Sequence, residues 1–376
     1  MKKINVNTVP QLHLGPMSKN VITAVSDFAV KKKWPICLIA SRRQIDGEFF
    51  GGGYVYNLTT ENFSKKNILD INKEYIIFAR DHGGPYQGKD EDNLSEQEAI
   101  RRSLKSFEID VVNGLKIIHI DPQKCIKKFD EKSLDKFIDL TKLLLKSCYD
   151  MLDKYNINDV DFEVGSDEGI CMQFSSDDWK YFLGEIFNFN QNLDRKDPIS
   201  LACPLGTKVQ EIENTGSLFL DNKNTTWLNY IERMVQISKD FKIKLKLHNA
   251  DYVSNSTIKM YMKLGIEQFN IAPELGAIET LSLVRILKEN NLNQELQKFY
   301  DLSLKSKKWE RWLKDNSVST NNDKSIISGH YIFATNEFIS LRKQIDMKLE
   351  HINLDKKLKL AITNKLNSYY EAISGK

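Results

Sequence analysis

Residues 115–121 read LKIIHID, residues 133–154 read SLDKFIDLTKLLLKSCYDMLDK, and residues 159–165 read DVDFEVG. The first and third stretches are short runs with branched or aromatic residues, bounded by polar residues or glycine, which is typical of buried strands. The stretch between them has apolar residues at intervals of three and four, which indicates a helix. Two strands joined by a helix favour a parallel pair and hence the α/β class.

The same alternation of strand and helix continues along most of the chain. The predicted strands are Gln11–Leu14, Ile36–Ser41, Tyr75–Arg80, Leu115–Asp121, Asp159–Gly165, Ile199–Leu205, Ile243–His248 and Glu267–Ala272. Helical patterns also cover residues 226–239, 256–264 and 275–288. Eight strands that alternate with helices predict a (β/α)8 TIM barrel over residues 1–290. An open, doubly wound sheet is the alternative, but no GxGxxG sequence follows the first strand.

The pattern changes after the eighth helix. A polar stretch rich in lysine and asparagine runs to Lys324 and is interrupted by Trp309 and Trp312. A strand-like run, Ser325–Phe333, and two helices follow it. We therefore expect residues 291–376 to form a helical C-terminal extension that packs on the barrel.

The composition excludes several classes of protein. The chain has 376 residues, 41% of them hydrophobic, and its 54 basic and 51 acidic residues give a formal net charge of +3. Such a balance disfavours a dedicated nucleic-acid binder. No apolar run of about 18 residues predicts a membrane helix, and no apolar segment follows the N-terminal lysines as in a secretory signal. Five dispersed cysteines without a CxxC pair fit a reducing compartment, so we expect a cytoplasmic protein.

The ends of the predicted strands are unusually polar. In this fold chemistry takes place at the carboxyl ends of the barrel strands. Three of the six histidines, His82, His119 and His248, lie at such ends. Carboxylates and amides accompany them, namely Asp81, Asp121, Glu163, Asn249, Asp251 and Asn270. Imidazoles and carboxylates that meet at a barrel mouth can hold a divalent metal, although a single histidine at a strand end is often structural.

Several of these motifs resemble those of the class II ketose-bisphosphate aldolases. Asp81-His82 is similar to their D-H pair, residues 163–165 to their E-x-G, and residues 245–275 to their seventh and eighth strands. The chain is more similar still to the accessory-subunit branch of the tagatose-bisphosphate aldolases. That branch has related sequences at Gln44 with residues 50–54, at residues 81–85, at residues 119–121 and at residues 248–252.

The resemblance implies roles for individual residues. His82 and His248 would be metal ligands, with Glu163 as a third ligand or as a carboxylate that orients the others. The metal would be zinc, or manganese or another divalent ion. Asp81, with Glu163, would carry out the acid–base chemistry. The substrate would be contacted by Gln44, Asp121, Asn249, Asp251 and Asn270.

The sequence departs from the aldolase pattern at two places. The aldolases have a further histidine ligand after strand six, where this chain reads GTKVQ at residues 206–210, so Glu163 or His330 would have to replace it. The phosphate-binding Gly-Ser-Gly of the strand-seven turn is replaced by Asn249-Ala250-Asp251. An acidic residue there would repel a phosphate and could instead bind sugar hydroxyls.

Three functions follow as hypotheses. The first is a metal-dependent enzyme that carries out aldol cleavage or retro-aldol epimerisation of a ketose or sugar phosphate. The second is a non-catalytic subunit that stabilises a class II tagatose-bisphosphate-type aldolase, and the third is a sugar-binding module. The resemblance also implies a homo-oligomer, or a hetero-complex with a catalytic aldolase subunit. From the charge balance and the lack of a long apolar run we expect neither a nucleic-acid nor a membrane partner.

Overall fold

The eight predicted strands pair side by side into one closed parallel barrel in the computed structural model, which describes residues 10–65, 71–217 and 225–375. The barrel strands are β1 Leu12–Leu14, β2 Ile36–Ser41, β3 Ile76–Gly83, β4 Ile117–Ile120, β5 Asp161–Gly165, β6 Ser200–Ala202, β9 Lys244–Leu247 and β10 Gln268–Ile271. A small antiparallel hairpin, β7 Val209–Gln210 and β8 Glu213–Asn214, follows β6. Each barrel strand pairs with its neighbours in chain order, and β10 closes the ring on β1. The predicted (β/α)8 TIM barrel is confirmed.

Strand β2 is apolar on both faces because each face is covered. In β2, Leu38 and Ala40 belong to the core beneath the surrounding helices. Cys37 and Ile39 point the other way, into the lumen, where they pack with Ile117 of β4. The lumen is therefore filled by side chains, as expected for a barrel of this size.

Helices alternate with the strands and then continue alone. Those of the barrel are α1 Lys19–Lys32, α2 Thr60–Ser64, α3 Glu96–Val112, α4 Ser133–Lys154, α5 Ser176–Asn192, α6 Thr225–Phe241, α7 Asn255–Leu264 and α8 Pro273–Glu289. Those that follow are α9 Asn293–Lys305, α10 Asn321–Ser328, α11 Asn336–Lys348 and α12 Leu354–Ser374. None of the described helices is both long and apolar enough to cross a membrane.

One predicted strand is wrong. Residues 325–333 form the end of α10 and a 3-10 turn, Gly329–Ile332. Thr320 caps α10, and a reciprocal capping box links its side chain and backbone to those of Asp323. A short apolar run does not distinguish a buried helix from a strand, and the capping residues upstream decide between them here.

The C-terminal helices pack on the barrel helices. Ile362, Leu366 and Tyr369 of α12 belong to the main core, and the ring of Tyr370 lies edge-on to that of Phe28 in α1 at 6.0 Å between centroids. A second apolar cluster joins α8, α9, α11 and α12. The predicted helical extension is thus observed, while the division of the chain at residue 290 stays a prediction.

A buried carboxylate joins the first and last helices of the barrel. Glu279 of α8 is 2% exposed and accepts hydrogen bonds from Ser18, the N-cap of α1, and from Asn20 Nδ2 at 2.8 Å. Burial raises the pKa of Glu279 to about 7, because the two hydrogen bonds only partly offset the lost hydration. The folded protein therefore holds this proton at a pH where the unfolded chain has released it.

Glu279→Gln should remove a pH-dependent loss of stability. The raised pKa destabilises the wild type progressively as pH rises from about 4.5 to about 7, by about 3 kcal/mol in total. The variant should match the wild type near pH 4.5 and exceed it at pH 8 in denaturant unfolding. Glu289→Gln, on the exposed side of the same helix, serves as the control. Parallel stability curves for wild type and Glu279→Gln between pH 4.5 and 8 would contradict this assignment.

Candidate active site

Three imidazole rings converge at the carboxyl end of the barrel. His82 comes from the end of β3, His119 from β4, and His248 directly follows β9 on the other side of the lumen. The ring centroids lie 5.1 Å apart for His82–His119, 5.1 Å for His82–His248 and 5.4 Å for His119–His248. The strand ends thus bring together the three histidines that the sequence singled out.

A bulge at the end of β3 allows both Asp81 and His82 to reach this cluster. The pairing of β3 with β4 shifts between Arg80 and Gly83, and His82 has a φ of 41°. In a regular strand two successive side chains would point to opposite faces, so the bulge is needed to turn both toward the mouth. Gly83 is required next to it, because a Cβ there would lie 2.6 Å from the carbonyl oxygen of His119.

The orientation of His119 is fixed by two hydrogen bonds. Its Nε2 donates to the carbonyl oxygen of Gly165 at 2.9 Å, and its Nδ1 accepts from the backbone N–H of His82 at 3.2 Å. The unprotonated Nδ1 also lies 3.6 Å from Glu163 Oε1 and 3.8 Å from Asp81 Oδ1. All three atoms are acceptors, and Nδ1 and Glu163 Oε1 are already engaged by the backbone N–H of His82 and by His248 Nε2.

Carboxylates hold the other two imidazoles. His82 Nδ1 lies 2.7 Å from Asp121 Oδ2, which also accepts from Ser166 Oγ at 3.1 Å. Burial alone would lower the pKa of His82, but Asp81 and the hydrogen bond to Asp121 raise it well above its usual value. These contacts fix the ring of His82 with Nε2 on the side away from Asp121.

His248 lies between two carboxylates. Its Nε2 is 3.2 Å from Glu163 Oε1 and its Nδ1 is 3.2 Å from Asp167 Oδ1. Burial opposes protonation, yet Asp167 and Glu163 raise the pKa of His248 to about 9. A buried imidazole with a carboxylate at each nitrogen is held in one orientation, and one of these carboxylates would have to yield its nitrogen to a metal.

A fully buried ion pair lies beneath the histidines. Lys246, two residues before His248 in β9, points into the lumen and pairs with Glu163 of β5, and both side chains are 0% exposed. Although burial would raise the pKa of Glu163, Lys246 and the imidazoles hold it well below its usual range. Glu163 is therefore ionised and shared between Lys246 and His248.

The remaining predicted residues lie around the cluster in different settings. Asn249 donates to Asp167 Oδ2 at 2.7 Å, and Asn270 in β10 has a buried Oδ1 without a partner among the described residues. Gln44 accepts from the backbone of Ser41 at 2.9 Å. Asp251 is 1% exposed and its Oδ1 accepts from two backbone N–H groups, those of Ala272 at 2.9 Å and Glu274 at 2.8 Å.

Sequence reasoning missed two charged residues of the site, Lys246 and Asp167. Lys246 could have been noticed, because it is a charged residue in the middle of the predicted buried strand Ile243–His248, which reads IKLKLH. Asp167 follows the E-x-G motif by two residues and carries no signal of its own. His330, considered as a replacement ligand, lies outside the cluster.

The donor atoms at the mouth suit a metal ion. Three sets of ligand atoms each lie within 4.8 Å of one another: Asp81 with His119 and His248, His82 with His119 and Asp121, and His82 with Asp167 and His248. Asp81 Oδ1 is buried and has no hydrogen-bond partner in the described part of the chain. Nitrogen and oxygen donors of this kind are those of zinc and related divalent ions.

Three solved structures with a similar fold carry the names of enzymes that act on sugars or sugar phosphates. A probable tagatose 6-phosphate kinase from Sinorhizobium meliloti 1021 superposes with a TM-score of 0.76 at 14% identity, covering 97% of this chain and 100% of its own. The fructuronate-tagaturonate epimerase UxaE from Cohnella laeviribosi superposes with a TM-score of 0.55 at 13% identity, and the match covers 97% of this chain and 83% of the epimerase. The fructose-bisphosphate aldolase from Campylobacter jejuni superposes with a TM-score of 0.55 at 12% identity, and the match covers 97% of this chain and 89% of the aldolase.

The chain shares the fold of these sugar-converting proteins. The fold implied by the resemblance to class II aldolases is thereby confirmed, and at these identities the likeness extends to the fold alone. No protein-family model matches the sequence, and no curated protein matches it significantly. The chemistry of the site has to be argued from its own residues.

Lys246→Met should destabilise the protein strongly. Removing the ammonium leaves Glu163 buried with no cation of fixed charge, which should lower the free energy of unfolding by about 3–5 kcal/mol. Lys244→Met in the same strand is the matched control, since Lys244 is part-exposed and pairs only with Glu267 at 3.5 Å. The control should lose less than about 1 kcal/mol in denaturant unfolding at pH 7. Equal losses in the two variants would refute a structural role for the buried pair.

Proposed function

We propose that the chain is a metal-dependent carbohydrate enzyme that carries out aldol cleavage or retro-aldol epimerisation of a ketose or sugar phosphate. The observation that carries the proposal is the convergence of three imidazoles with the unpartnered Asp81 carboxylate at the barrel mouth. The fold shared with an aldolase and an epimerase supports it.

The metal would be held by His82 and His248 together with a third donor. Glu163 is one candidate, but its carboxylate is already engaged by Lys246. We therefore favour His119, whose Nδ1 would exchange its hydrogen bond from the backbone of His82 for the ion, and assign Glu163 to orienting His248. When bound, the metal would polarise the substrate carbonyl and stabilise the negative charge that develops on its oxygen. Zinc suits three imidazoles best, and manganese is the alternative.

Asp81 would move the substrate proton. Burial would raise its pKa, but His82, His119 and His248 hold the pKa well below its usual range, so the carboxylate is ionised at neutral pH. In cleavage it would take the proton of the hydroxyl on the carbon beyond the breaking bond, as that hydroxyl becomes an aldehyde. The bonding electrons pass to the fragment with the original carbonyl, and Asn270 would hold the substrate. In epimerisation the two fragments would rejoin on the other face of the aldehyde, which inverts that carbon, and Asp81 would return the proton to the new hydroxyl.

One observation favours the alternative, a non-catalytic subunit of a class II aldolase. Residues 206–210, which follow β6, contain no histidine, whereas the aldolases have a histidine ligand in this stretch. His119 offers another imidazole, which weakens this objection. The oligomeric state and a hetero-complex with a catalytic subunit stay predictions.

The purified protein should contain about one divalent ion per chain, measured by elemental analysis. His82→Ala/His248→Ala should lose it, because two of the three proposed imidazole donors are gone. His351→Ala, at an exposed position, is the control and should keep the wild-type content. A wild-type protein that contains no metal, even after incubation with zinc or manganese, would contradict the metal-dependent mechanism.

Asp81→Asn should keep the metal and lose turnover by about a hundredfold or more, because the amide cannot accept the substrate proton. Candidate substrates are ketoses, their phosphate esters and ketohexuronates, with NMR to distinguish an aldehyde product from an epimer. Asp90→Asn, in the exposed loop that follows, should leave turnover unchanged. A metal-loaded wild type that converts none of them would favour the subunit, and a search for a companion aldolase by pull-down would follow.

A further inference from the structure

The C-terminal extension crosses the mouth of the barrel. The carbonyl oxygen of Trp312 accepts from the backbone N–H of Glu211, in the hairpin after β6, at 2.7 Å. The indole N–H of Trp312 donates to the hydroxyl of Tyr331 at 3.1 Å. The turn at residues 310–312 is thus held between the β6 side of the barrel and the residue next to His330.

His330 lies above the carboxyl end of β1. Its ring packs on Gly276, in the first turn of the helix after β10, where an added Cβ would be 2.6 Å from the imidazole Cγ. It also lies 6.4 Å, between centroids, from the ring of Tyr54, in the loop after β2. Because β1 lies between β10 and β2 in the barrel, these two contacts place His330 over β1.

The imidazole of His330 has unused hydrogen-bonding capacity. The residue is 2% exposed, and neither ring nitrogen has a partner among the described residues. Burial, reinforced by the charge of Arg311, lowers the pKa of His330 to about 3, so the ring is neutral with one donor and one acceptor. Leaving both unsatisfied is unfavourable, and a sugar hydroxyl, which can donate and accept, would satisfy either.

Arg311 presents an unpaired positive charge beside His330. It is exposed, its guanidinium lies 4.6 Å from the ring centroid of Trp312, and it forms no ion pair with a described carboxylate. A guanidinium that no described carboxylate neutralises can attract an anion.

We propose that Arg311 and His330 form a subsite for the end of the substrate that lies away from the reacting carbons. His330 binds a hydroxyl, and Arg311 binds an anionic terminus, a phosphate or a carboxylate. The identity of the ligand as a sugar rests on the proposed function. The turn at residues 249–251 offers no cation for such a terminus, and its Asp251 is bound to backbone N–H groups.

Calorimetric titration with three open-chain probes tests the anionic part. Glucitol 6-phosphate and gluconate carry the two candidate anions, and glucitol is the neutral control. The wild type should bind at least one anionic probe about tenfold or more tightly than glucitol, and the tighter of the two identifies the terminus. Arg311→Ala should abolish this preference, whereas Arg285→Ala, a comparably exposed arginine on the outer face of α8, should retain it.

His330→Phe and His330→Asn test the hydroxyl contact. Both substitutions should weaken the binding of glucitol 6-phosphate or gluconate about tenfold. The preference for the anionic probe over glucitol should remain, because the lost contact is uncharged. Thermal unfolding of each variant, compared with that of the wild type, checks that the fold is kept. If a histidine variant is unfolded, Arg311→Ala, which changes an exposed side chain, still tests the subsite.

The subsite is overturned if the wild type shows no anion preference, if Arg311→Ala keeps it, or if a folded His330 variant binds as tightly as the wild type. None of the probes has a carbonyl, so they bind without reacting. An anion preference in a protein that neither holds metal nor turns over sugars would support the subsite and refute the enzyme. Turnover of neutral ketoses by a protein without an anion preference would support the enzyme and refute the subsite.

Discussion

Repulsion between buried carboxylates is the constraint on which the mouth of this barrel depends. Asp81, Asp121, Glu163 and Asp167 lie around one small space and would destabilise the fold if left alone. Lys246 supplies one fixed positive charge from below. The same field raises the pKa of His82 and of His248, because their protonated rings lie beside these carboxylates.

The arrangement of the backbone follows from that constraint. The bulge at the end of β3 turns Asp81 and His82 together toward the space, and the carbonyl of Gly165 selects the tautomer of His119. Each imidazole thus meets the carboxylates with a defined nitrogen. A site in which the polar groups are already oriented needs little rearrangement to bind a cation or a polar substrate.

The barrel could be predicted from the sequence because buried parallel strands leave short apolar runs, and the strand ends then pointed to His82, His119 and His248. Sequence could not show which way a side chain faces, so the pairing of Lys246 with Glu163 was missed. The run at residues 325–333 has an apolar content that fits either helix or strand, and the cap at Thr320 decides it. The contact of Trp312 with Glu211 joins distant segments by backbone and indole groups that leave no pattern in the sequence.

The turn after β9 explains why the extension matters to the site. Asp251 ties this turn to the start of α8 through the backbone N–H groups of Ala272 and Glu274, and burial beside Glu274 raises its pKa to about 8. The turn is therefore committed to holding His248 in place, and its acidic side chain is unavailable to an anion. Because the turn after β9 is occupied in this way, groups that recognise the far end of a ligand would come from elsewhere around the mouth. The segment that contacts the hairpin after β6 through Trp312 carries Arg311 and leads to His330, so under our proposal the extension contributes to recognition as well as to the core.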